Sequence, residues 1–509
     1  MTILRQSLRL LLPLAGAILG VVIMMALIHS PTASASKDPV ALPDFGRGMY
    51  AATVNYPNCR FGAGGNAAAY PVAELNVGWH TDWSSQLSPV RPNGAEYVHV
   101  VRLRPDLVNG YAFTPETATL QLHIDHNPGA TWLIGNEPDS PWQDNLKPET
   151  YARAYHHLYT LIKQSDPSAR VGAGGIVQPT PIRLQYLDMA LNTYRQLYGE
   201  PLPTDLWNIH TYILSETTNC GDGACIPPGI TATQGVVYKR SEMFSTAIFR
   251  QRLIDFRVWM SDRGYHDVPL YITEYGELFP YPPDTPGGDT YYYDENGVPI
   301  TEQRVAEFMT GTFDVLLGLI DPALGYPTDD NRLVQRWLWY SLDSISLGGA
   351  LYDPFTHERR LLGSVFASYT QAISPSVDLL AVRVWADPAA LDDIGQPQTT
   401  TLRARISNVG NVSITSPITV AYYAGMPPTG TLIGSRRITS ALSGCGGVAE
   451  VNVTWSISGA GAHPMVVVVD PGDVIVEASN GNNTASGFAL IATQHVYLPN
   501  VTRSYSTGP

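Results

Sequence analysis

The chain has 509 residues, 44% of them hydrophobic and 15% charged, with 31 basic against 45 acidic side chains and a formal charge of -14. That length exceeds one ordinary core and predicts a large domain plus a smaller one, and the composition excludes a disordered chain. The acidic balance argues against nucleic acid or an anionic membrane surface as partner and leaves a neutral ligand as the better fit.

Arg5 and Arg9 precede an uncharged stretch from Leu10 to Ile28, and Ala33-Ser34-Ala35 has the small-x-small form of a signal-peptidase site. Residues 1–36 are expected to export the chain as a signal peptide. The stretch also approaches the roughly 20 residues that span a bilayer, so retention as an anchor stays open. Either outcome predicts a secreted or cell-surface protein, attached to a membrane through this segment alone. Four cysteines are too few for a disulfide-stapled scaffold. Cys220 and Cys225 bracket "GDGA", a spacing that a turn closes, and are expected to pair; Cys59 and Cys445 are left unassigned. No CxxC occurs and the histidines are scattered, so neither a metal site nor a cofactor is expected.

Residues 45–373 read as short apolar runs alternating with helical stretches, the pattern of a parallel sheet. The expected strands are Gly48–Tyr56, Val77–Trp83, Tyr97–Arg104, Thr131–Glu137, Arg170–Val177, Asp205–Ile213, Pro269–Glu277 and Arg336–Asp343. Helical spacing marks Lys147–Gln164, which opens with Pro148, and also Phe244–Gly264 and Ile300–Ile320. Eight strand-helix units over this length predict a (β/α)8 TIM barrel, an α/β fold. An open doubly wound sheet is the competitor; "GAGG" at 62–65 and 172–175 lacks the full phosphate-binding pattern and is read as turns or close backbone contacts. The segment Tyr281–Pro299 is rich in Pro, Gly and Tyr and is expected to form a lid or cleft wall.

From Ile373 to Asp378 the composition changes, and residues 377–492 read as β-branched strands separated by turns, an all-β sandwich followed by a tail at 493–509. The strands expected there include "TTTLRARISNVG", "SPITVAYYAG", "AEVNVTWSI", "HPMVVVVD" and "VIVEASNGNN". Through "ISNVGNVSI", "VVVVDPGDVIVEASNGNNTA" and Trp455 between them, this part resembles the CARDB-like immunoglobulin-like modules of bacterial secreted proteins. The resemblance implies a spacing or adhesive role and no catalytic residue.

Hydrolysis of a glycosidic bond needs one carboxylic acid to protonate the leaving oxygen and a carboxylate to attack carbon or activate water. A barrel gathers such groups at the C-terminal ends of its strands. Glu137 in "IGNEP" ends the fourth expected strand, and Glu274 in "ITEYG" ends the seventh. With both motifs at those two strands, the barrel resembles the clan A glycoside hydrolases, and "QDNLKPETYARAY" extends the likeness to their β-glucanase-like cores. The resemblance implies that Glu137 is the acid/base and Glu274 the nucleophile of a retaining mechanism, and that Asn136 binds the sugar 2-hydroxyl. It further implies that His210 or Tyr212 of "NIHTY" orients the nucleophile. Trp339 is the expected sugar platform on strand eight, with Trp79, Trp83 and Arg102 or Arg104 as further cleft residues. Glu277, three residues beyond Glu274, is its competitor and is ranked as a rim residue.

The expectation is thus a monomeric, exported glycosidase acting on a β-linked carbohydrate. A non-catalytic carbohydrate-binding or adhesion protein on the same scaffold is the alternative. A metal-dependent barrel hydrolase would call for a His-x-His on an early strand, and none is present.

Overall fold

The computed structural model describes residues 56–492 except 222, 279–292, 345–346 and 394. The expected export segment 1–36, the expected strand Gly48–Tyr56 up to residue 55, most of Tyr281–Pro299 and the tail 493–509 lie outside the described residues. No helix among the described residues is long and apolar enough to cross a membrane.

Eight parallel strands close into a barrel: β1 Asn58–Gly64, β2 Val77–Thr81, β3 in two runs (Glu96–Tyr97 and His99–Asp106), β4 Thr131–Ile134, β5 Arg170–Ile176, β6 Leu206–His210, β7 Leu270–Gly276 and β8 Arg336–Tyr340. The interruption at Val98 lets one chain segment serve both neighbours. The first run of β3 pairs with β2, the second with β4, and β8 returns to β1 with Trp337 opposite Phe61. Among the described residues six α-helices surround the strands: α1 Thr117–His126, α2 Pro148–Ser165, α3 Pro181–Tyr198, α4 Thr246–Asp262, α5 Glu302–Gly318 and α6 Leu361–Ala372. The expectation of eight strand-helix units is corrected at the start of the barrel, where only the 3-10 turns Val72–Leu75 and Pro92–Gly94 follow β1 and β2. Each long helix buries one apolar stripe; in α2 it is Tyr151, Ala152, Tyr155, Leu158 and Ile162, spaced to recur on one face.

The first strand also lies later than its sequence suggests. "GAG" at 62–64 is part of β1 rather than a turn, and the expected close contact is made there by the indoles that fill the barrel interior beside it. A Cβ on Gly62 would come within 2.6 Å of Trp79, and one on Gly64 within 2.5 Å of Trp83. Side chains alternate along every strand. On β8, Trp337 and Trp339 face the helices and pack with Phe61 and Tyr275, while Leu338 faces the interior with Trp79, Val100, Leu133, Leu206 and Tyr271.

The second domain is a two-sheet antiparallel sandwich. One sheet is β9 Leu379–Asp387, β10 Gln398–Asn408 and β13 Gly447–Ile457; the other is built on β11 Ile418–Ala424, β12 Thr431–Ile438, β14 Gly461–Val469 and β15 Thr484–Ala492. Leu402, Ile406, Val420, Tyr422, Val467 and Ile491 meet between them. The strand expected at "VIVEASNGNN" is instead a loop, and the strand starts at Thr484. The Asp470 carboxylate accepts from Ile475 N at 2.7 Å and Ala478 N donates to Val377 O at 2.8 Å, and Val474 and Val476 are left exposed.

The sandwich docks on the N-terminal face of the barrel. Cys59 of β1 forms a disulfide with Cys445, across 386 residues. Next to it the buried Arg60 guanidinium bonds both Asp329 oxygens at 2.8 and 2.9 Å and donates to Val409 O at 2.9 Å. Ser407 Oγ donates to Thr328 O at 2.6 Å. A cavity of about 690 Å³ remains at this junction, lined by Glu96, Arg170, Tyr271 and Arg336 of the barrel floor and by 443–448 of the sandwich. A bond closing so long a loop constrains the unfolded chain strongly. Cys59→Ser with Cys445→Ser is expected to cost about 2–4 kcal/mol in denaturant unfolding. Function at the opposite rim should be unaffected at 25 °C.

Candidate active site

At the C-terminal rim, β4 stops at Ile134 and the chain turns over the barrel mouth through Gly135, Asn136 and Glu137. Glu137 is 8% exposed and sits in the left-handed region at φ 46°. That conformation costs a non-glycine residue on the order of 1 kcal/mol and persists only where the surroundings impose it. Its N–H donates to Gly175 O at 2.8 Å, and its carbonyl accepts from Ser140 N at 3.0 Å. The turn is braced from below by the buried Asp144 carboxylate, which accepts from Asn136 N at 2.7 Å, Leu103 N at 2.9 Å and Arg102 Nε at 2.7 Å. Arg102, on the inward side of β3 with Val98 and Val100, therefore reaches the site through Asp144, whereas Arg104 donates to Thr114 Oγ1 at 2.9 Å.

Glu274, on β7, is 9% exposed and lies beside Glu137. Tyr212 donates its hydroxyl to Glu274 Oε1 at 2.7 Å, and His210 Nδ1 lies 2.9 Å from Glu137 Oε1 and 3.8 Å from Glu274 Oε2. One oxygen of each glutamate and a ring nitrogen of His210 all fall within 4.8 Å of one another. Of the two alternatives, Tyr212, just past the end of β6, bonds Glu274, and His210, at its end, bonds Glu137. This is the one cluster among the described residues whose donor atoms are close enough to ligate a metal ion. Equally, it is a carboxylate pair each member of which has its own hydrogen-bond partner.

Burial raises the pKa of Glu274; the negative charge of Glu137 adds to this, and His210, Tyr212 and the Trp83 indole N–H only partly offset it. Burial alone would strip His210 of its proton, but the charges of Glu274 and Glu137 outweigh it and raise the imidazole above its ordinary value. Both shifts favour retention of a proton at Glu274 and at His210.

Asp139, two residues past Glu137, opens a buried ion network. Arg183 of α3, fully enclosed, pairs with the Asp139 carboxylate, with Glu216 Oε1 at 2.8 Å and with Cys225 O at 2.7 Å. Cys220 and Cys225 form a disulfide that closes the loop supplying this carbonyl. Sequence reasoning missed the network. The signal was an arginine on the apolar stripe of α3, between Ile182 and Leu184 and in phase with the buried Tyr186, Leu187, Ala190 and Tyr194.

Two sequence expectations are corrected. Trp339 is fully buried between barrel and helices, its Nε1 donating to Gly349 O at 2.8 Å, because its strand position faces outward. Its neighbour Tyr340 turns to the mouth instead, with its ring 5.3 Å from that of Trp83. Trp79 fills the barrel interior below the site and is not a cleft residue, whereas Trp83 touches Glu274. Glu277, directly after the end of β7, is buried and stands outside the cluster. Asn136 is at the site, nearly enclosed, with its backbone fixed by Asp144.

No curated protein matches the chain. Among solved structures, a GH128 (subgroup I) endo-β-1,3-glucanase from Amycolatopsis mediterranei, in complex with laminaritriose, is 19% identical, with 61% of this chain and 98% of that chain covered and a TM-score of 0.38. A GH128 (subgroup II) endo-β-1,3-glucanase from Sorangium cellulosum is 17% identical over the same shares, with a TM-score of 0.36. A CARDB domain from Pyrococcus furiosus, in complex with di-metal ions, is 17% identical, with 23% of this chain and 90% of that chain covered and a TM-score of 0.19. The CARDB family model matches residues 380–487, so the sandwich that follows the barrel is a CARDB domain.

Proposed function

We propose that the protein is an exported glycoside hydrolase that cleaves a β-linked glucan with retention of configuration. The observation that carries this reading is the pair of buried glutamates at the ends of β4 and β7 with oxygens within 4.8 Å. Retaining enzymes hold their carboxyl groups roughly 5–5.5 Å apart, whereas inverting enzymes need about 6.5–9.5 Å to admit a water.

In this mechanism Glu137 donates its proton to the glycosidic oxygen as Glu274 attacks the anomeric carbon, breaking the C–O bond and forming a glycosyl ester. Glu137, now a carboxylate, removes a proton from water, which attacks the same carbon and releases Glu274. The tyrosine hydroxyl presents Glu274 in its ionised form, and His210 fixes the Glu137 carboxyl. Asn136 is assigned the sugar 2-hydroxyl, and Trp83 with Tyr340 the ring of the reacting sugar.

The reading is tested by hydrolysis of β-1,3-glucan, mixed-linkage β-glucan, xylan, mannan and galactan, with β-1,3-glucan tried first because the GH128 structures above bear that activity in their names. Release of reducing sugar from a β-glucan is the expected result. Binding to a polymer with no release from any of them would point to a carbohydrate-binding protein instead.

The pH profile carries a second expectation. Glu274 must be ionised to attack, and its pKa lies above the ordinary 4.5. Activity should therefore fall, as pH drops, at a pH above that of an ordinary glutamate. Tyr212→Phe removes a donor to the ionised form, so it should move this acid limb of kcat/KM still higher. A bond to a charged group contributes about 1.5–3 kcal/mol, so kcat/KM at the optimum should fall tenfold or more.

A further inference from the structure

Of the tryptophans, Trp142 is the one that stands out into solvent, 74% exposed; the other nine are buried or half-buried. It is not on a loose loop tip. The turn it belongs to is closed by Gln143 N and Asn145 N, each donating to Ser140 O at 3.1 Å, and by Leu146 N donating to Pro138 O at 2.8 Å. The next side chain, Gln143, is held by Arg102 Nη2 at 2.8 Å, and Asp144 is locked beneath the turn. A rigid frame thus presents a bare indole five residues from Glu137, on the rim that carries the glutamate pair.

Phe355 stands on the loop after β8, 82% exposed, with its N–H held by Asp353 Oδ1 at 2.8 Å. Strands four and eight stand opposite each other in an eight-strand ring, so the segments that carry Trp142 and Phe355 leave the barrel from opposite sides of its mouth. Trp83 and Tyr340 lie beside Glu274, their rings 5.3 Å apart. An exposed indole on the rim that carries the glutamate pair, with two further rings at Glu274, suits a chain of sugars rather than a single one. A pyranose presents its axial C–H groups as a flat apolar face, and an indole on a backbone already held in place matches that face with only two side-chain torsions to immobilise on binding.

We propose that Trp142 is a sugar-stacking platform for a β-linked glucan chain, away from the cleaved bond, and that it sets a preference for polymer over short glycosides. The inference rests on the glycosidase reading of the site. It is tested with Trp142→Ala and Trp142→Phe on laminarin, a soluble β-1,3-glucan, and on 4-nitrophenyl β-laminaribioside, whose two sugars span less of the rim. In Trp142→Ala the ratio of kcat/KM on laminarin to that on the short substrate should fall roughly tenfold, chiefly through KM, and Trp142→Phe should restore most of it. An unchanged ratio would overturn the proposal. If the wild type cleaves no polymer, the glycosidase reading fails and the platform is decided by binding. Calorimetric affinity for laminarin must then weaken roughly tenfold on adding Trp142→Ala to Glu274→Gln, and equal affinity overturns it.

Discussion

Glu274→Gln is expected to abolish hydrolysis, by about 10⁴-fold or more, while leaving the protein at least as stable as the wild type at neutral pH. The loss follows from chemistry: an amide oxygen keeps the Tyr212 hydrogen bond but is no nucleophile. The gain follows from linkage. Burial and Glu137 raise the folded pKa of Glu274 above its unfolded value, so its contribution to stability is fully present below the unfolded pKa and is lost as pH rises through the folded one. At neutral pH the ionised side chain is a burden that the amide lifts, and the two melting curves should converge in acid. Glu137→Gln should differ in kind. Removing a general acid typically costs 10²–10⁴-fold, and the loss should shrink on aryl glycosides whose leaving group needs no proton. Equal losses on both substrate types would contradict the division of roles.

Arg183→Met is expected to be the most destabilising single change near the site. It leaves the carboxylates of Asp139 and Glu216 buried without their cation, and breaking such a pair costs about 3–5 kcal/mol. Asp139 also lies within electrostatic reach of Glu137 and His210. The uncompensated charge should thus disturb the acid/base as well as the fold. Adding Asp139→Asn and Glu216→Gln to Arg183→Met removes the stranded charges, and urea unfolding should then recover most of the loss. No recovery in the triple variant would mean that the arginine acts through shape rather than charge.

The glutamate pair was legible because a barrel converts sequence position into spatial position. Any strand end reaches the same rim, so "GNEP" and "TEYG" needed only correct strand counting to be brought together. His210 and Tyr212 were legible for the same reason. Trp339 was not, because the sense of a side chain depends on strand parity, and an error of one residue exchanges the cleft for the helix layer. That exchange is what separates Trp339 from Tyr340. The first strand was hidden by its glycines, whose missing side chains make room for Trp79 and Trp83; their reason lies on another strand. The Cys220–Cys225 link is local and readable from spacing. The Cys59–Cys445 link depends on how two domains dock, which no local pattern encodes.

The most direct test of the central claim follows the anomeric configuration of the sugar released from β-glucan by proton NMR, beginning at the first turnover. Two carboxylates this close predict that the β-anomer appears first and the α-anomer only later, by mutarotation, with no release by Glu274→Gln. First appearance of the α-anomer, or undiminished release by that variant, would contradict the double displacement through Glu137 and Glu274.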